Sequence, residues 1–439
     1  MTGFEYNTRV VIAGVTALGL ASGVAGAFLL LRKRSLLSDT LSHCTLPGIA
    51  LAFLVAEASG FSGRSLPWLL AGASVTGVLG MLTVVAIRSR SRVKDDAALA
   101  IVLSVFFGLG MAFLVLIQQL PTGNAAGLTH FIYGKAASLV ASDARLILVA
   151  SLIVAGTCAL LFKEFKLLCF DQSYARSQGW PLAGLDLLLM GLVVMVTVVG
   201  LQAVGLLLVV AMLIIPAAAA RFWTHQLGRM VVLAGVFGAA SGLIGVGISS
   251  RIPKLPAGAV IVLAALSLFA ISMVFGLRRG VLMKKLHQRQ VSLRVRRQHL
   301  LRAIYEWCEQ HATAPGFEAA RLLERQVPAS SLCAMNGWDP ATWTGLRRLG
   351  QGEGLIQWIP ESGTCQLTGQ GKLEARRVTR NHRLWETYLL HYADVAPQHI
   401  HHNADQIEHV IEPEIVNHLE ELLEVRSGNA LVPLDPEKP

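Results

Sequence analysis

The chain has 439 residues, 53% hydrophobic and 15% charged, with a mean hydropathy of +0.54 and a net charge of +10. These values exclude a purely soluble protein and a disordered one, and the length admits more than one domain. The charge is uneven: residues up to Leu286 carry 22 basic and 9 acidic side chains, net +13, and the rest carry 16 and 19, net −3. Ten of the thirteen histidines lie in that second part, so two differently built halves share the chain. The six cysteines form no CxxC pair, which argues against a disulfide framework or a zinc knuckle.

A transmembrane helix needs roughly 20 apolar residues. Runs of that kind predict nine spans: Val10–Leu31, Leu36–Ala58, Leu66–Ile87, Ala97–Gln118, Leu146–Phe162, Leu182–Val199, Val204–Ala220, Met230–Ile248 and Ala257–Leu277. The first run is too long for a signal-peptide core and lacks a small-residue cleavage pattern. Unsplit, Leu182–Ala220 would be about 58 Å long, too much for one crossing, and Gly200–Gly205 is the natural turn. Nine spans put Arg32-Lys33-Arg34, Arg88–Lys94, Lys163/Lys166, Arg221 with Arg229, and Arg278-Arg279 with Lys284-Lys285 on one side. Eight would scatter them, so the positive-inside rule predicts an outside N-terminus and an inside C-terminus. The weakly apolar Ala125–Val140 segment reads as a short re-entrant or interfacial helix on the outer side.

Charge in lipid is costly and therefore usually functional. The clearest case is Asp39-Thr-Leu-Ser-His43, whose carboxylate and imidazole share one helical face. Such a pair is a partial shell for a manganese-, iron- or zinc-type cation, and equally a structural Asp–His pair. His130 and His225 read as interfacial, Asp186 as a helix-end residue, and Cys44 as packing.

Leu36–Leu51, containing Asp39, His43, Pro47 and Gly48, resembles the early motif of ABC-transporter permeases that import zinc, manganese or iron. So do Asp95-Asp96-Ala-Ala-Leu-Ala-Ile, Phe131-Ile-Tyr-Gly134, Phe170–Gly179 and Leu201–Arg221, in order across residues 9–277. The resemblance implies a subunit working with a second permease copy or relative, a separate ATPase and an extracytoplasmic metal-binding protein. It places Asp39 and His43 on the metal path. It also matches Phe170, Asp171, Ala175 and Gly179 to the cytoplasmic helix that receives the ATPase stroke. Lys135 and Lys254 depart from the family pattern and suit docking to an acidic partner. The chain has no ATPase site of its own: Gly369-Gln-Gly-Lys372 has the wrong glycine spacing for a phosphate loop and no following Ser or Thr. A transport subunit is expected, not an enzyme.

Beyond Arg278, the basic residues from Lys284 to Arg297 suit a segment on anionic lipid. His299–His311 has helical apolar spacing. Asp339-Pro340 caps a following helix, and Gly354–Trp358 with Gly363–Thr368 predicts a two-stranded wing, the outline of a winged helix-turn-helix. Thr342, Thr344, Arg347 and Arg348 would be its DNA-facing residues. Asp405, Glu408 and His409, at i, i+3 and i+4, share one helical face and suit borderline-hard divalent metals. Arg380–Leu389 and Asn403–Glu412 resemble the C-terminal domain of diphtheria-toxin-repressor and manganese-transport-regulator proteins, the likeness covering residues 299–425. It implies His382, Asp405, Glu408 and His409 as metal ligands, with His299 as a further candidate. Arg302 stands where those regulators supply a donor, and it cannot ligate.

The expected fold is therefore an all-α polytopic membrane protein of about nine helices, N-out and C-in, with a cytosolic winged-helix and helical metal-sensing, dimerising domain. Its parts would be a permease (1–280), a basic juxtamembrane linker (281–298), a winged helix (299–375), a metal-binding and dimerisation region (376–425) and a tail (426–439). The expected function is divalent-metal import, manganese first, then iron or zinc, throttled by a cytosolic sensor. The alternatives are a membrane-tethered, metal-dependent transcriptional regulator, for which DNA is the partner, and a dimerisation module without ligand.

Overall fold

The computed structural model describes residues 6–32, 35–59, 66–119, 139–252, 255–311 and 323–392. The chain divides into two compact units, Met1–Lys284 and Lys285–Pro439.

The described part of the first unit is helical: α1 (Tyr6–Leu31), α2 (Ser35–Ala58), α3 (Leu66–Arg90), α4 (Asp95–Gln118), α5 (Ala141–Leu160), α6 (Phe162–Phe170), α7 (Gln172–Ser177), α8 (Leu182–Val204), α9 (Leu206–Arg221), α10 (Leu227–Ser249) and α11 (Ala257–Phe275). Among the described residues eight helices are long and apolar enough to cross a membrane: α1 to α5, α8, α10 and α11. The expected span Val204–Ala220 is the 16-residue α9, which brings the chain from the far end of α8 back to the end where Leu30 and Arg279 lie. At 1.5 Å per residue it is about 24 Å long, short of a hydrocarbon core of about 30 Å. The reason lies in the turn. α8 runs on to Val204, and the chain reverses at Gly205 alone, with φ +86°. That left-handed conformation is open to glycine without strain. Gly200 and Val209 then face each other across the turn.

α1 is the central helix, packed against α10, α5 and α9, while α2 packs on α3 and α4. Apolar side chains alone do not drive helices together in lipid, where the solvent is equally apolar; close backbone packing does. Gly19 of α1 and Gly238 of α10 meet in that way, each placed so that an added Cβ would strike the other's carbonyl oxygen. α2 and α9, which touch, each carry an interior proline, Pro47 and Pro216. At one end of the bundle Phe222 O accepts the amides of Arg278 (3.1 Å) and Arg279 (3.2 Å). Leu30, Arg221 and Arg279 line a cavity there, so the basic ends of α1, α9 and α11 gather together.

The second unit holds most of α12 (Val281–Gln310), then β1 (Val327–Pro328), α13 (Ala329–Asn336), α14 (Pro340–Gly352), β2 (Ile356–Ile359), β3 (Thr364–Leu367) and α15 (Gly369–Tyr392). The basic stretch read as a linker is the exposed first half of α12. The strands form an antiparallel sheet in the order β1-β3-β2, with Val327 opposite Cys365 and Trp358 opposite Cys365 on its other side. β2–β3 is the expected hairpin, and the two-residue β1 adds a third strand that apolar patterning does not reveal. Leu300, Leu301 and Ile304 of α12 close over Trp343, Leu346, Ile356 and Leu367. Burial pushes the thiols of Cys308 and Cys365 up to about 11 and about 12, so both stay protonated and act as packing.

Gly238→Leu should cost about 3 kcal/mol or prevent assembly, because the backbones must separate. Gly108→Ala, at a site with nothing within 4 Å, should cost nothing. Thermal unfolding of the two variants in detergent, followed by size-exclusion fluorescence, checks both.

Candidate functional site

From Leu37 to Ala50 every residue of α2 is buried except Asp39 and His43. Of the buried hydroxyls, Ser42 donates to Ser38 O (2.7 Å) and Thr45 to Ser42 O (2.6 Å), while Thr40 is shared between Leu36 O (3.0 Å) and Leu99 O of α4 (3.4 Å). Asp39 and His43 are thus the polar outlet of an otherwise enclosed helix. Their side chains are 37% and 16% exposed, and His43 Nε2 lies 3.5 Å from Asp39 Oδ1. With each donor about 2.1 Å from a cation, that separation subtends an angle of about 110° at the metal, within the range of ordinary coordination. Phe107 of α4 meets the imidazole edge-on at 4.9 Å, and His43 Nδ1 is buried with no hydrogen-bond partner. Among the described residues no third His, Cys, Asp or Glu joins the pair. Cys44, fully buried, packs on Gly80.

At the basic end of the bundle Asp186 of α8 accepts Arg32 Nη2, just past α1, at 2.9 Å, and lies 3.6 Å from Arg88 Nη1 of α3. Arg88 Nε also reaches Asp95 of α4 at 2.9 Å, and Arg32 Nη1 donates to Leu168 O of α6 at 3.1 Å. Sequence reasoning missed this knot; its one signal is a lone carboxylate at the start of an apolar span. Arg32 therefore ties the bundle to the α6–α7 segment, which Phe28 also grips by ring contacts with Phe162 and Phe165.

In that segment Phe170, Tyr174 and Trp180 are exposed aromatics, whereas Ala175 is fully buried. Asp171 caps α7, accepting the Tyr174 amide at 2.9 Å and the Ser173 hydroxyl at 3.0 Å. Those bonds, the Tyr174 amide first, hold its carboxyl below the usual carboxylate range. A depressed carboxyl stabilises above its unfolded pKa, so this cap persists at neutral pH and is lost on acidification. Gly179, at φ +78°, ends the turn.

In the second unit Asp339 stands at the expected N-cap position of α14 with Pro340 following, its carboxyl lowered first by the Thr342 hydroxyl. Of the four residues read as DNA-facing, Thr342 and Arg348 are exposed and Thr344 is half-buried, its hydroxyl on Pro340 O. Arg347 lies over the Trp358 ring at 5.0 Å, so it packs the hairpin.

His382 on α15 is 2% exposed, and Glu386, one turn on and overlooked in the sequence, takes its Nε2 at 3.0 Å. Arg302 of α12, also buried, approaches Nδ1 at 2.9 Å and pairs through Nε with Glu306 at 3.3 Å. The same Nη1 lies 3.3 Å from Nε2, so the guanidinium sits beside both ring nitrogens. Alongside, Arg383 pairs with Glu309. His299 lines a cavity next to Arg302. Asp405, Glu408 and His409 lie outside the described residues, as do the Ala125–Ser138 part of the expected outer helix, Lys135 and Lys254.

The ABC 3 transport family matches residues 4–276, and the iron dependent repressor, metal binding and dimerisation domain matches residues 368–427. The chain is 39% identical over 391 residues to the manganese transport system membrane protein MntC of Bacillus subtilis (strain 168), spanning 89% of this chain and 86% of that one. That span exceeds the first unit, so the likeness runs into the second. It is 38% identical to the zinc transport system membrane protein TroC of Treponema pallidum (strain Nichols), over 66% of this chain and 95% of that one. A solved structure of PsaBC from Streptococcus pneumoniae in complex with Fab is similar with a TM-score of 0.55 at 30% identity, over 64% of this chain and 96% of that chain. The repressor domain implies a bound metal. The described residues around His382 do not fit one, because the buried Arg302 guanidinium lies within 3.3 Å of both its ring nitrogens and a divalent ion there would meet a fixed positive charge.

Asp186→Ala should cost about 3 kcal/mol, since it leaves two arginines without their largely buried carboxylate. The Arg32→Met/Asp186→Leu double variant should recover most of that loss. Thermal unfolding of both in detergent checks it.

Proposed function

The chain belongs to the ABC 3 transport family, and from that premise we propose that it is the membrane permease subunit of an ATP-driven importer of divalent transition metal. It is a multi-pass plasma-membrane protein whose relatives include metal-transport permeases. The observation that carries the reading is the Asp39–His43 pair, a carboxylate and an imidazole that form the outlet of a buried helix at a separation a cation can bridge. Two donors do not complete a coordination shell, so cargo water or a second permease copy supplies the rest. Manganese is the preferred cargo, supported by the oxygen donor and the name of the Bacillus relative; iron and zinc follow.

Hydrolysis takes place on a separate ATPase, coupled through the segment that Phe170, Asp171, Ala175 and Gly179 mark, with exposed Phe170 at the contact and buried Ala175 holding the segment together. Arg32 passes the stroke to α1 and α8 through Leu168 and Asp186. An extracytoplasmic metal-binding protein delivers the cargo on the other face. The membrane part is 1–280, with its C-terminus inside the cell. Residues 281–298 form a basic juxtamembrane stretch, 299–375 a winged-helix region, 376–425 a dimerising region and 426–439 a tail. This cytosolic half regulates transport, biasing the permease by its different affinity for two transport states. The Asp405–Glu408–His409 face is its metal-responsive element. A second reading, a tethered transcriptional regulator, is favoured by exposed Thr342 and Arg348 on α14.

Asp39→Ala and His43→Ala should each abolish manganese uptake while the protein stays in the membrane; normal uptake in both would sink the path assignment. Truncation after Lys285 should leave uptake intact but remove its slowing when metal is plentiful, read by metal accumulation in cells carrying the full transporter. Unchanged shut-off would instead turn attention to DNA.

A further inference from the structure

The α12–α15 contact holds an unusual set of buried groups. A metal ligand must turn a lone pair toward its ion, and a neutral imidazole has one. Arg302 Nη1 stands 2.9 Å from Nδ1 and 3.3 Å from Nε2 of His382, so its charge lies beside whichever nitrogen would turn to an ion, and Glu386 Oε1 is 3.0 Å from Nε2. The guanidinium is itself 7% exposed and answered by Glu306 at 3.3 Å. A carboxylate and an imidazole thus meet one fixed positive charge, and a second carboxylate holds the far side of the imidazole. On the open side of Arg302 lies a cavity of about 370 Å³ lined by Arg296, His299, Asn336 and Thr342, and among the described residues no carboxylate lines it. Positive charge there repels an arriving divalent ion.

We infer that Arg302 is a built-in cation that takes the place of a metal at His382, fixing the α12–α15 contact whatever the metal supply. This deepens the regulatory reading and rests on it in one respect: metal responsiveness of the second half then falls on the Asp405–Glu408–His409 face alone. An arginine neither dissociates nor loses its proton in the physiological range, so the contact is constant.

The test is manganese binding by the full chain in detergent, read by electron paramagnetic resonance, in an Asp39→Ala/His43→Ala background that silences the transport pair. His382→Gln should leave stoichiometry unchanged and affinity within twofold. Arg302→Ala should gain one manganese per chain, a gain that His382→Gln removes, and added manganese should raise its thermal midpoint. Arg302→Lys, which keeps a charge, should gain none. A tenfold loss of binding in His382→Gln overturns the inference and leaves the sensor reading standing. A folded Arg302→Ala chain that gains no site also overturns it. If Glu408→Gln changes nothing while Arg302→Ala gains its site, the inference stands and the sensor reading fails.

Discussion

One carboxylate organises the basic end of the membrane unit. Asp186 holds arginines from two other helices, and one of these also grips a carbonyl of the α6–α7 segment. Ion pairs so shielded from water are costly to break, though they add little net stability over an apolar core. Their value is geometric. A guanidinium fork fixes direction as well as distance, so α1, α3, α8 and the short α6 keep one relative setting. Force applied at exposed Phe170 or Tyr174 therefore reaches the bundle through charge-assisted bonds that do not stretch easily.

The polar pair on α2 lies within the same unit, in a helix otherwise wrapped by its neighbours. On the proposed function the roles separate: one end takes mechanical input, and the Asp39–His43 outlet takes the ion. The second unit is built differently, around tryptophans and a small sheet, with Trp343 between Trp338 and Trp358. Its long helices meet through polar pairs, Arg302 with His382 and Arg383 with Glu309, where α1 and α10 of the membrane unit meet through glycines.

Much of this was legible in the chain. Apolar runs located the long helices because the bilayer sets a minimum length, and Asp39 with His43 stood out because charge is rare there. Asp339-Pro340 announced the start of α14. What stayed hidden depends on tertiary approach: Arg32 and Asp186 are 154 residues apart, Arg302 and His382 80 apart, and no spacing rule links either pair. Resemblance identified Arg302 as a position that had lost a donor. It took the fold to show that the residue had gained a role. The turn between α8 and α9 fell inside the expected Gly200–Gly205 stretch, but at its last residue alone, because a single glycine at positive φ reverses the chain.

Pro47 stands four residues after His43, and Pro216 four after Met212. Each proline lacks the amide that would bond the carbonyl one turn back, so each helix misses a rung there. α2 and α9 touch, which places two weakened rungs in one packed pair of helices. Bending at those points breaks no hydrogen bond that already exists. The bundle therefore contains a compliant seam next to the Asp39–His43 pair, between stiffer helices that are anchored by charge and by glycine contacts.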